Sequence, residues 1–123
     1  MTDQSNQSPL TVNATKLNKC WIAQIAGRVD HTNATLFLTE LEGVTSQLAE
    51  REGIVLDFSG LEFITSAGLR GLVIAQKKLG DSGSKLAITG LTGTVADVFR
   101  ISRFDTLFPV AETAEAASAL VTG

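Results

Sequence analysis

Apolar residues recur along this chain with two periods that alternate. Phe37, Leu41, Val44 and Leu48 are spaced four, three and four apart, which sets them on one face of a helix over residues 33–50. Leu69, Leu72, Val73 and Leu79 mark a second helix over 66–79, and Val95, Val98 and Phe99 a shorter one over 94–101. Between them, Ile54-Val55-Leu56 is an unbroken apolar run within 53–58, the pattern of a strand covered on both faces. Residues 10–15 and 20–29 are extended segments separated by the polar stretch 16–19, which predicts a hairpin. Ser59-Gly60 reads as a turn after the third strand, 85–89 and 107–110 as further short strands, and 113–121 as a closing alanine-rich helix.

Two strands followed by helix and strand in alternation predict an α/β fold. Its mixed sheet has four to five strands, the later ones parallel, with about four helices packed on it. The chain of 123 residues is expected to form one domain over 10–123 behind a loose polar tail, 1–9. No apolar run approaches a bilayer span and the first residues lack a secretory signal's basic and apolar regions, so a cytoplasmic protein without membrane insertion is expected. Net charge is −3 and the only basic cluster is the pair Lys77-Lys78, a poor match for nucleic acid. One cysteine, Cys20, and one histidine, His31, cannot assemble a zinc-type site; no metal or other cofactor is expected.

The chemistry concentrates where the second helix begins, at Ile64-Thr65-Ser66-Ala67-Gly68-Leu69-Arg70. A helix N-terminus carries unpaired N–H groups and a partial positive charge. Ser66 can cap that helix as it stands, or accept a phosphate that the same amides would hold. Ala67, Gly68 and Gly71 leave the ground beside it bare, either for close packing on the sheet or as a platform on which another protein reaches the hydroxyl. Asp30 stands before the first helix, where it can close a turn, cap the helix or meet a partner. A hydrolase triad of Ser66, His31 and Asp30 is a weaker alternative: Asp30 and His31 are adjacent, and the Gly-x-Ser-x-Gly elbow is missing.

The segment Leu56-Asp57-Phe58-Ser59-Gly60-Leu61-Glu62-Phe63-Ile64-Thr65-Ser66-Ala67-Gly68-Leu69 resembles the signature of STAS domains, specifically bacterial anti-sigma factor antagonists. Gly27-Arg28-Val29-Asp30 adds to the resemblance, which covers about residues 10–120. It implies the STAS fold and a partner-switching, non-enzymatic role. Ser66 would be phosphorylated by a partner that is both anti-sigma factor and GHKL-type serine kinase, a serine phosphatase would reverse the mark, and the unmodified form would bind that partner. It further implies a partner-facing surface of Asp30, Thr65, Ser66, Ala67, Gly68 and Arg70 on a monomer or weak homodimer. Thr65 departs from the pattern, since familiar members carry aspartate before the phosphorylated serine; it remains a second candidate acceptor. A STAS-domain subunit of a lipid transporter, or of secretion or biofilm control, is the alternative within the resemblance.

Overall fold

The computed structural model describes residues 9–17 and 20–122. The expected tail therefore lies outside the described residues apart from Pro9, as do Asn18 and Lys19 of the expected turn. The elements run β1 (Thr11–Leu17), β2 (Cys20–Val29), α1 (Ala34–Thr45), β3 (Gly53–Ile64), α2 (Ser66–Asp81), β4 (Leu86–Thr89), α3 (Gly93–Ile101), β5 (Val110–Ala111) and α4 (Ala114–Thr122). The sheet order is β1-β2-β3-β4-β5; β1 pairs antiparallel with β2, and every later pair is parallel. This is the α/β architecture that the alternation predicts.

Strand alternation divides the core in two. Ala23 and Ile25 of β2, Ile54, Leu56 and Phe58 of β3, and Leu86 and Ile88 of β4 point to one face. They meet Phe37 and Leu41 of α1, Leu69, Leu72 and Leu79 of α2, and Val95 and Phe99 of α3. The intervening Cys20, Val55 and Ala87 point the other way and pack under Ala117 and Val121 of α4. Cys20 is thus a small core residue, its thiol pKa raised by burial and only partly offset by Ser118 Oγ at 3.7 Å.

Three sequence-based expectations are corrected by the structure. Ser59-Gly60 is no turn: β3 runs straight through it for 12 residues, with the irregularity absorbed as a register shift against β2. Gly60 lies opposite Ala26, and a Cβ there would come within 2.9 Å of the Ala26 Cβ. Helix α1 stops at Thr45 rather than near residue 50, because Ser46 and Gln47 turn their side chains back onto the Gly43 carbonyl. The last strand is Val110–Ala111, displaced from 107–110 by a 3₁₀ turn at Phe104–Thr106. That turn brings Phe104 between the rings of Phe99 and Phe108, at 6.3 and 6.1 Å.

At the end of the sheet where β3 starts, Glu52 ties three segments together. Its carboxylate accepts from Trp21 Nε1 (3.2 Å) and the Ala49 N–H (2.8 Å) and pairs with Lys16 Nζ at 2.8 Å. Lys16, then the Ala49 amide and Trp21, hold its pKa down to about 2 from the ordinary 4.5. A depressed carboxylate stabilises the fold fully above its unfolded pKa and loses that contribution as pH falls through the folded one. In thermal melts, Glu52→Gln should therefore lie below wild type at pH 7, with the gap closing between about pH 4.5 and 2. A gap independent of pH would mean that the charge of Glu52 contributes nothing.

Candidate functional site

β2 and β3 end together, Val29 opposite Ile64, and the Thr65 N–H extends the pairing by donating to the Val29 carbonyl at 3.0 Å. Asp30 and Thr65 each stand one residue beyond their strand. The parallel register therefore sets the Asp30 turn beside the start of α2, at the carboxyl ends of the strands where open α/β sheets place their sites.

Thr65, not Ser66, occupies the N-cap of α2, with extended backbone at φ −101° and ψ 173°. Its hydroxyl makes no capping bond; Oγ1 is buried and, among the described residues, has no hydrogen-bond partner. The helical ladder opens with Leu69 N–H to Thr65 O at 3.0 Å, so the N–H groups of Ser66, Ala67 and Gly68 lie outside it. Ser66 is the first helical residue and is exposed. Of the two readings of Ser66, the one in which it caps this helix is thus corrected by one position, and the amides of the first turn stand beside an accessible hydroxyl at the positive end of α2.

The small residues behind Ser66 separate into two roles. Gly68 is buried, and a Cβ there would sit 2.6 Å from Val29 Cγ1 and 2.8 Å from Ile64 Cγ1. It belongs to the packing beneath the site and presents no surface of its own, a correction to its expected partner-facing place. Gly71 is also buried but has ordinary clearance, with Leu38 Cβ at 3.7 Å. Half-buried Ala67 and exposed Arg70 do face outward, onto a shallow groove of about 220 Å³ between α1 and α2. Ala34, Thr35 and Leu38 of α1 and Gly71 and Ile74 of α2 complete its lining. Sequence reasoning missed Leu38 and Ile74, which lie next to the core positions Phe37 and Ala75; their only signal is being apolar just off the buried stripe.

Asp30 closes a turn. Its carboxylate accepts from the Thr32 hydroxyl and from the Thr32 N–H at 2.8 Å, which lowers its pKa in that order of effect. Asn33 holds the turn to the sheet: Oδ1 accepts from the Asp30 N–H and Nδ2 donates to the Arg28 carbonyl, both at 2.9 Å. Neither residue caps α1 through its side chain. Both Thr32 bonds go to Asp30 Oδ1, so this carboxylate holds the turn, with the exposed His31 next in the chain. On the opposite face of the strand ends, the Arg28 guanidinium stands 4.7 Å from the centre of the Phe63 ring.

The STAS domain family model matches residues 11–117. The chain belongs to the STAS domain family. Over 104 residues it is 36% identical to the candidate anti-sigma factor antagonist BtrV of Bordetella bronchiseptica, covering 85% of this chain and 88% of that protein. An anti-sigma factor antagonist from Mycobacterium paratuberculosis has the same fold, with a TM-score of 0.82 at 20% identity over 94% of this chain and 96% of that one. The Bacillus cell fate determinant SpoIIAA in its phosphorylated form is similar at a TM-score of 0.63 and 16% identity, over 91% and 99% of the two chains. Among the described residues of this STAS domain, no helix is long and apolar enough to cross a membrane.

The two buried glycines of α2 should respond to alanine with opposite sign. Overpacking costs roughly 1–3 kcal/mol, while replacing glycine within a helix returns about 1 kcal/mol. Gly68→Ala, crowding Val29 and Ile64, should lose up to about 2 kcal/mol; Gly71→Ala should gain up to about 1 kcal/mol. Denaturant unfolding of both variants measures this, and equal shifts would contradict the packing described.

Proposed function

We propose that this STAS domain is an anti-sigma factor antagonist switched by phosphorylation of Ser66. The reading is carried by the exposed hydroxyl of Ser66 on the first turn of α2, beside N–H groups that the Thr65 side chain leaves uncapped. The partner is an anti-sigma factor that is also a serine kinase of GHKL type. The γ-phosphoryl group of the kinase's ATP passes to Ser66 Oγ, the hydroxyl proton departs and ADP remains with the kinase. Nucleotide and magnesium belong to that partner; this chain supplies the acceptor and no cofactor. A serine phosphatase hydrolyses the phosphoserine and restores the binding form. Both forms act in the cytoplasm.

In the unmodified state the partner rests on Asp30, Thr65, Ser66, Ala67 and Arg70 and on the groove between α1 and α2, with Gly68 supporting the first turn from below. Phosphorylation adds a charge of about −1.5 to −2 and three acceptor oxygens. The unspent amides and the dipole of α2 receive that charge, so the fold tolerates it. SpoIIAA, of the same fold, is known in a phosphorylated form. A partner packed over the site instead meets a dianion next to the ionised Asp30, whose pKa is lowered. Charge misplaced in an interface costs several kcal/mol, about a hundredfold or more in affinity.

Incubation with the cognate kinase and ATP should add one phosphate, mapped to Ser66 by tandem mass spectrometry, absent from Ser66→Ala and retained in Thr65→Val. A phosphate mapped to Thr65 or elsewhere would overturn the assignment. By calorimetry, Ser66→Asp should bind the kinase at least about tenfold more weakly than wild type with an unchanged melting curve, one carboxylate carrying less charge than a phosphate. Equal affinity would argue against the switch.

A further inference from the structure

The charges of α2 follow the helix dipole at one end and oppose it at the other. Its last turn carries a cation, Lys78, as the dipole favours. Its first turn carries no acidic residue, and the first charge after Ser66 is again a cation, Arg70; no other follows before Lys77. Arg70 is exposed and, among the described residues, makes no ion pair. It is the one charged residue lining the groove between α1 and α2. The Asp30 carboxylate, at the same end of the sheet, bonds Thr32 instead. Ser66 and Arg70 stand one helical turn apart, a spacing that brings Cβ atoms to about 5–6 Å. Side chains lean towards the N-terminus of their helix, so the Arg70 stem is directed back over the first turn. Beside that path Ala67 offers a single methyl group and Gly71 no side chain at all.

We infer that Arg70 holds the phosphate of phosphorylated Ser66 within the chain, its guanidinium donating two N–H groups to two phosphate oxygens. The inference rests on the phosphorylation proposed above and deepens it by naming the side chain that answers the new charge. A guanidinium is a planar fork of donors that fits two oxygens of one phosphate, a match that a serine hydroxyl cannot offer. The contact therefore forms with modification and is lost with it. A phosphate of charge about −1.5 to −2 is only partly neutralised by one guanidinium, so the modified site stays negative. Two changes then reach a partner in a single step. An anion is gained at Ser66, and the cation that lines the groove is drawn back onto the first turn of α2. A partner whose carboxylate meets Arg70 in the unmodified form loses that contact as well.

The test needs no kinase, because phosphoserine can be installed at position 66 of the full chain during translation, by stop-codon suppression. A failure here is thus separate from a failure of Ser66 as the kinase's acceptor, which the mass-spectrometric mapping above decides. Phosphorus NMR follows the second ionisation of the installed phosphate, ordinarily at a pKa of about 6. A guanidinium in contact favours the dianion, so Arg70→Gln should raise that pKa by at least about 0.5 over wild type. Lys77→Gln removes a cation further along the same helix and should leave the pKa where wild type has it. Arg70 is exposed, so its replacement leaves the packing of α2 intact. In wild type, which needs no substitution, the Arg70 Nε–H resonance should shift between the unmodified and the phosphorylated chain. An ionisation unchanged in Arg70→Gln would overturn the inference. So would an equal change in Lys77→Gln, or an Nε–H resonance that phosphorylation leaves in place.

Discussion

The first turn of α2 rests directly on the ends of β2 and β3 because Gly68 has no side chain. Val29 and Ile64 occupy the space that a Cβ would need. This contact fixes where α2 begins, and with it the height of Ser66 above the sheet. It depends in turn on a register that shifts twice between β2 and β3 and still delivers Val29 opposite Ile64. The glycine and the shifts together bring the hydroxyl, the groove and the Asp30 turn to one surface.

The unpartnered Thr65 hydroxyl belongs to the same arrangement. A threonine at an N-cap usually satisfies an amide of the first turn and gains about 1 kcal/mol of helix stability. Here the hydroxyl is buried with no partner among the described residues, a loss of about 1–3 kcal/mol by general experience. Local stability is thereby surrendered at the place where the helix keeps its charge available. Structures retain strain and unmet polar groups where binding or switching uses them.

Most of the fold was legible because hydrophobic period is a direct imprint of burial. Phe37, Leu41 and Val44, and Leu69, Leu72 and Leu79, are buried as their spacing implies. What failed was local punctuation. Ser59-Gly60 carries turn chemistry, yet pairing with β2 overrides it and makes the pair part of a strand. Leu107 and Phe108 look alike in sequence, but the 3₁₀ turn leaves one 54% exposed and the other 2%. At the site, Ser66 was visible from strand-to-helix order and from the family signature. The buried Thr65 hydroxyl and the close packing at Gly68 were not, the latter because it depends on Val29 of β2, 39 residues earlier in the chain.

The single tryptophan has a practical consequence. Trp21 pairs with Ile54 at the start of β3, whereas Ser66 follows its end, about 30 Å away along a strand rising about 3.3 Å per residue. Its indole is held by Glu52 at that far pole. Intrinsic fluorescence of this protein therefore reports global melting and is blind to events at the first turn of α2. An optical probe of the proposed switch has to be built in, on α1 or α2.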